Sequence, residues 1–215
     1  MAMKPLVLIR HPATTLAGTF CGHSDPDLSA TGESQLVQLL YRLRDTRLER
    51  LFSSDLRRAR RCADEIAHQH RLAVELRPEL REIAFGEWEG LSWGQILNSH
   101  PAEANRWLEC FPDATPPGGE DYAHFTARVR KEADKWAQVC SEKTLAVITH
   151  RGVLQHLLQV YCGVDPQSAW QMTEQPTTTI FCEWSCDADQ ALVIREQWVP
   201  EESVQFVPEL KTRTQ

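Results

Sequence analysis

No stretch of this chain is apolar over anything near the roughly 18 residues that a membrane span requires. The early apolar run Leu6, Val7, Leu8, Ile9 leads straight into Arg10 and His11, which is not the pattern of a secretory leader. Positive charge is not in surplus. The 23 Lys and Arg stand against 30 Asp and Glu, a net −7, whereas general nucleic-acid binding needs a basic surface. No internal repeat and no low-complexity segment is present. Cysteine is not used as a framework: the seven cysteines are an odd number and scattered. Only Cys182 and Cys186 lie close, and no second pair stands at metal-ligand spacing. These absences point to a cytoplasmic protein with reduced thiols, no nucleic-acid partner and no membrane association.

What is present is ordinary globular composition, 42% hydrophobic and 25% charged over 215 residues, enough to bury a substantial core. Residues 5–9 predict a buried strand. Leu36, Leu39, Leu40 and Leu43 mark one face of a helix over 32–45, opened by Ser29 or Thr31. Leu51 and Phe52 predict a second strand ending at Ser53 and Ser54. Asp55 is placed to cap a helix whose inner face carries Ala59, Cys62, Ala63 and Ile66. Residues 73–77 predict a third strand. Between Gly86 and Cys140 the pattern changes, with tryptophans at 88, 93, 107 and 136 separated by turn residues. Ser92 and Gln95 form a capping-box pair, and Pro116, Pro117, Gly118 and Gly119 mark a loop. One long helix carrying Tyr122, Phe125, Val129, Trp136 and Cys140 follows, so a helical cap over approximately 86–140 is expected. Strand character returns at 144–149, a helix follows with Val153, Leu154, Leu157, Leu158 and Tyr161, and strands are expected at 178–184 and 191–198. The polar tail from Glu201 is expected to lie on the surface. The alternation predicts one domain over 1–215, an α/β fold with a mostly parallel sheet and helices on both faces.

Two segments echo each other. The first strand releases Arg10 and His11; the strand at 144–149 releases His150 and Arg151. In open α/β sheets ligands bind beyond such carboxyl ends, so neighbouring strands would present both histidines to one crevice. Arg57, Arg58, Arg60 and Arg61 crowd the start of the helix after Asp55. Cations there oppose the helix dipole by roughly 0.3–1 kcal/mol each when exposed, and an anionic ligand at the same pole explains their presence. A solvated basic face is the plainer alternative, and a lone histidine after a strand is by itself more often structural. Paired histidines also invite a metal, but adjacent guanidiniums repel a divalent cation and attract phosphate. No metal and no cofactor is therefore expected.

The segment LIRHPATT resembles the Arg-His-Gly-Glu-Thr signature of the histidine phosphatase superfamily, to which the cofactor-dependent phosphoglycerate mutases also belong. DLSATGESQ, SSDLRRARRCA, LREIAFGEWEG, PPGGEDYAHFTARV and VITHRGVL resemble further segments of that family in the same order, over roughly residues 6–155. The resemblance implies a three-layer, doubly wound fold of the phosphoglycerate mutase kind with an inserted helical cap. It also implies roles. His11 would be the nucleophile, Arg10, Arg58 and His150 would hold the phosphoryl oxygens, and Glu82 would protonate the leaving group. Arg58 is preferred to Arg57 because it precedes Ala59. Thr14 and Arg151 are further candidates for phosphate contact. The chemistry is coherent: positioning and electrostatics dominate phosphoryl transfer, a nucleophilic imidazole must be neutral, and burial raises a carboxyl's pKa toward the protonated state a general acid needs. The chain departs from the signature at Pro12 and Ala13, and Arg151 stands where a small residue is common.

FCGHSDPDLS, together with Arg10, His11 and Pro12, is similar to the α-ribazole-5′-phosphate phosphatases of cobalamin assembly. That resemblance implies a small phosphate monoester as partner, with Trp88, Trp93 and Trp107 as a stacking surface or as packing of the cap. A broad-specificity sugar or metabolite phosphatase, a phosphoglycerate-type mutase and a non-catalytic phosphate-binding protein remain as alternatives. The oligomeric state, with a homodimer as one option, is left open.

Overall fold

The computed structural model describes residues 4–185 and 192–201. In chain order the elements are β1 (Leu6–Arg10), α1 (Ala30–Leu43), β2 (Arg50–Ser53), α2 (Arg57–His70), β3 (Val74–Leu76), α3 (Trp93–Ser99), α4 (Pro101–Cys110), α5 (Tyr122–Ala133), α6 (Trp136–Cys140), β4 (Leu145–Thr149), α7 (Arg151–Cys162), α8 (Pro166–Met172), β5 (Thr179–Trp184) and β6 (Leu192–Trp198). The strands form one sheet in the order β3-β2-β4-β1-β5-β6. The first four of these run parallel; β5 and β6 are antiparallel additions.

The period of two along β1 separates its side chains between two cores. Leu6 and Leu8 pack with α5, α6 and α7 through Phe125, Val129, Trp136, Leu154 and Leu157. Val7 and Ile9 face the other way, onto Leu36, Leu39 and Leu43 of α1 and Ala59, Ala63 and Ile66 of α2. Both faces of the sheet are covered, which is why β1 and β4 are continuous apolar runs rather than alternating ones.

Several expectations are revised. Asp55 does not cap α2; the residue before its first turn is Leu56, without a side-chain cap. The Arg57 N–H donates instead to Asp25 Oδ1 at 2.7 Å, from a loop distant in sequence, while Asp55 pairs with Arg81 at 2.5 Å. Ser29, not Thr31, caps α1, accepting from the Gly32 N–H. The single long helix over 122–140 is broken between Ala133 and Trp136. Helices α4 and α8 lie where the sequence reading placed none. The expected cap over 86–140 divides: Trp88, Ile96 and Ala104 form a separate small core with Phe20, Trp93 and Trp107, whereas α5 and α6 belong to the layer that covers the sheet. Position 191 of the last expected strand, Cys186 and the tail beyond Glu201 lie outside the described residues.

The first turn of α1 is pressed onto the loop that follows β1. A Cβ on Gly32 would lie 2.0 Å from the Ala13 carbonyl oxygen, an oxygen that already accepts from the Ser29 N–H at 3.0 Å. Gly32→Ala must therefore push backbone from backbone, an expected loss of about 2 kcal/mol. For a chain of this size that is roughly 4–8 °C in Tm, read by calorimetry. An unchanged Tm would show that this contact is loose.

Candidate active site

The site lies where three parallel strands end together. Arg10 is in register with Thr149 across the β1–β4 pair, and the His11 N–H donates to the Thr149 carbonyl at 2.9 Å. Register alone thus sets His11 beside His150, with ring centroids 5.0 Å apart. On the other side of β4 the Ser54 N–H donates to the Ile148 carbonyl at 2.9 Å, which brings Ser54 Oγ within 2.8 Å of His150 Nε2.

His11 Nδ1 lies 2.7 Å from the Pro12 carbonyl oxygen. A carbonyl only accepts, so Nδ1 carries the proton and Nε2 presents a lone pair. Arg58 Nε donates to that Nε2 at 3.2 Å. Burial first, then the charges of Arg58 and Arg10, hold the His11 pKa well below its ordinary value. His150 is driven down in the same way by burial and then Arg58. Both imidazoles are neutral, the state a nucleophile requires.

Helical periodicity selects one arginine from the cluster of four. Arg58 shares the inner face of α2 with Cys62 and Ile66 and is 1% exposed. Arg57, Arg60 and Arg61 point outward and pair with Asp27, Asp64, and Glu33 and Glu65. Arg58 reaches the loop after β1, donating to the carbonyls of Ser24 at 2.6 Å, Gly22 at 2.7 Å and Cys21 at 3.2 Å. Arg10 donates to the main-chain carbonyls of Thr173, at 2.9 Å, and Glu174. Its pKa is lowered to about 10, first by burial and then by Arg151. Among the described residues Arg10 Nε, Arg151 Nε and His150 Nδ1 are buried nitrogens without a hydrogen-bond partner, a costly arrangement unless a ligand supplies one. Cations and unpaired donors in one crevice suit an anion.

Glu82 is 7% exposed. Its carboxylate accepts from the Ile83 N–H at 3.0 Å and from the Gly152 N–H, in the first turn of α7, at 2.8 Å. A Cβ at position 152 would lie 2.4 Å from Glu82 Oε1, so the glycine permits the approach. Arg128 fixes the chain that carries Glu82, donating to the carbonyls of Glu79, Arg81 and Glu82 at 2.7–2.9 Å.

The remaining candidates are placed differently. Thr14 is buried and bridges Leu28 through its main chain. The Arg151 guanidinium lies 3.7 Å over the Trp170 ring, at the rim beside Arg10. Trp88 is fully buried, so it packs the small core and offers no stacking face. Trp93 and Trp107 are partly buried around it. The aromatic contacts continue from Trp107 to Phe111 and Tyr122, and the Tyr122 hydroxyl is held up by burial and by the charge of Glu82.

Sequence reasoning missed Ser54, Glu89, Arg128, Gly152 and the carbonyls of Thr173 and Glu174. Ser54, Glu89, Arg128 and Gly152 all lie inside the family-like segments, so a signal existed. Main-chain acceptors leave none, because any residue type supplies them.

The buried histidines give the fold a pH dependence. His156 is also held down, to about 4, by burial and then Arg130. In the unfolded chain each returns to about 6.5, so below that value the unfolded state takes up protons that the fold refuses. Stability is complete above about pH 6.5 and falls with pH, by up to about 1.4 kcal/mol per pH unit for each histidine. Urea midpoints should drop between about pH 7 and pH 5; a flat profile would mean that the histidines take up protons in the fold as readily as in the unfolded chain.

Among the described residues no helix is long and apolar enough to cross a membrane. The sequence profile of the histidine phosphatase superfamily (branch 1) matches residues 6–196. The adenosylcobalamin/alpha-ribazole phosphatase of Escherichia coli K12 is 28% identical over 167 residues, 77% of this chain and 82% of that protein. Phosphoserine phosphatase 1 of Hydrogenobacter thermophilus is 29% identical over 170 residues, 78% of this chain and 81% of that protein. Among solved structures, the alpha-ribazole phosphatase of Shigella flexneri superposes with a TM-score of 0.81 at 24% identity, covering 93% of this chain and all of that one.

Proposed function

This chain belongs to the histidine phosphatase superfamily, branch 1, and is a phosphatase; from that premise we propose that it hydrolyses α-ribazole-5′-phosphate to α-ribazole through a phosphohistidine on His11. The observation that carries the mechanism is the tautomer of His11, whose Nδ1 proton is held by the Pro12 carbonyl while Nε2 faces Arg58. Nε2 attacks phosphorus, the bond from phosphorus to the leaving oxygen breaks, and Glu82 gives that oxygen its proton. The Arg58 Nε–H leaves Nε2 for a phosphoryl oxygen as attack begins. Arg10 and the unpartnered Nδ1 of His150 supply further donors where charge spreads over the equatorial oxygens. The positive charge that develops on the phosphorylated imidazole is eased by its hydrogen bond to Pro12. In the second step the Glu82 carboxylate takes a proton from water, whose oxygen attacks phosphorus. The phosphorus–nitrogen bond breaks, and phosphate and neutral His11 are restored.

The substrate reading rests on the relatives named for α-ribazole phosphate and on an aromatic edge suited to a planar base. Phe111, 52% exposed, stands 5.3 Å from Tyr122, which senses the charge of Glu82. The six free cysteines among the described residues support a reducing, cytoplasmic setting.

The test is phosphate release from α-ribazole-5′-phosphate, phosphoserine, sugar phosphates and phosphoglycerates, without a bisphosphate primer. The expected outcome is a kcat/KM for α-ribazole-5′-phosphate at least about tenfold above the others. Equal values would replace that substrate with a broad specificity. Isomerisation without release would sink the hydrolytic reading.

A further inference from the structure

Glu89 stands outside the reacting groups, yet its carboxylate gathers four main-chain N–H groups. Oε2 accepts from Gly22 at 3.0 Å and Ser24 at 3.0 Å; Oε1 accepts from His23 at 2.8 Å and Phe85 at 3.0 Å. Three of these donors come from the loop whose carbonyls, at Cys21, Gly22 and Ser24, receive the guanidinium of Arg58. The loop is therefore held on its N–H side by an anion and on its C=O side by a cation. It also lies close against the 83–89 segment: a Cβ on Gly22 would lie 2.0 Å from the Ile83 carbonyl oxygen. The same loop reaches the chain of Glu82, with His23 Nε2 3.1 Å from the Glu82 carbonyl oxygen.

We propose that Glu89 is the positioning residue of the site. By fixing the 21–24 loop it fixes the Arg58 guanidinium against His11 Nε2, and through His23 it ties that pair to the chain carrying Glu82. Burial opposes charge on Glu89, but hydrogen bonds from Phe85, Ser24 and His23 outweigh it and bring its pKa below the ordinary value. The anion is thus present throughout the neutral range. A carboxamide has one acceptor oxygen, and its NH2 would confront two amide N–H groups, so glutamine cannot replace it.

This inference rests on His11 as the nucleophile, so its test reads the clamp separately from turnover. In Glu89→Gln the loop loosens and Arg58 moves from Nε2. Arg10 and the neutral His150 are then the groups left facing the ring from β1 and from the start of α7. The expected result is a fall in kcat/KM for p-nitrophenyl phosphate of about 100-fold. With it the acid limb of the pH profile, and the His11 titration followed by 15N NMR, should move up toward about 6.5. Loss of activity with neither shift would reduce Glu89 to a structural residue and overturn the proposal, as would unchanged activity. If the variant does not fold, amide exchange in the wild-type chain decides: Gly22, His23 and Ser24 should exchange about 100-fold or more slowly than an unstructured chain. Exchange at unstructured rates would show there is no clamp. If His11 were not the nucleophile, p-nitrophenyl phosphate turnover would survive His11→Ala, while the titration and exchange results would stand.

Discussion

His11→Ala is expected to lower turnover by a factor of roughly 10⁴ or more, and no acid-labile phosphoenzyme should form. The size follows from what is removed. Without Nε2 there is no nitrogen to accept the phosphoryl group, and water must attack directly with the remaining donors. His150 cannot substitute, since its Nε2 is engaged with Ser54 at 2.8 Å and its ring is held 5.0 Å from the position His11 leaves. The substitution should be mild for folding. It gives up the Nδ1 hydrogen bond to Pro12 and spares the β1–β4 ladder, which runs through the His11 backbone N–H. Far-UV circular dichroism and Tm near those of the parent, with rapid-quench labelling blank, is the expected pair of results. Residual labelling would place the phosphoryl group on another residue.

Glu82→Gln is expected to separate substrates by leaving group. Proton donation contributes about 10²–10⁴-fold where the leaving oxygen is basic, so alkyl and sugar phosphates should lose about that much. p-Nitrophenyl phosphate departs without help and should lose less than about tenfold in the first step. Glutamine has the carboxylate's shape and one acceptor for the two N–H groups, from Ile83 and Gly152, that Glu82 holds. A modest stability loss of about 1 kcal/mol is therefore expected as well. Pre-steady-state bursts with the two substrate kinds make the comparison. Equal losses for both would mean that Glu82 shapes the site without moving a proton.

The arrangement explains why Pro12 and Ala13 are tolerated in the signature. Pro12 contributes its carbonyl, which fixes the His11 tautomer, and that carbonyl does not depend on side chain. Ala13 contributes backbone only, through its N–H to Gln35 and its carbonyl to Ser29. Arg151, the third departure, is stacked on Trp170, which is 55% exposed, and this places a third cation beside the site.

The sequence by itself determined the parts governed by short-range order. Apolar runs bounded by polar residues located the strands, and Arg58 was singled out by its place before Ala59 in a family-like segment; its burial on α2 came from the structure. The echo between His11 and His150 was legible because each sits one residue past a strand, and parallel register does the rest. Tertiary structure decided everything that depends on segments far apart in the chain. The first N–H of α2 goes to Asp25 rather than Asp55, because a neighbouring loop brings Asp25 to the helix start and the Asp55 carboxylate is taken by Arg81. The tryptophan cluster became a core, because Trp88 is enclosed by Phe20, Trp93 and Trp107. The grip on Arg10 and Arg58 is made by main-chain carbonyls, which every residue type carries equally and which no sequence pattern can therefore reveal.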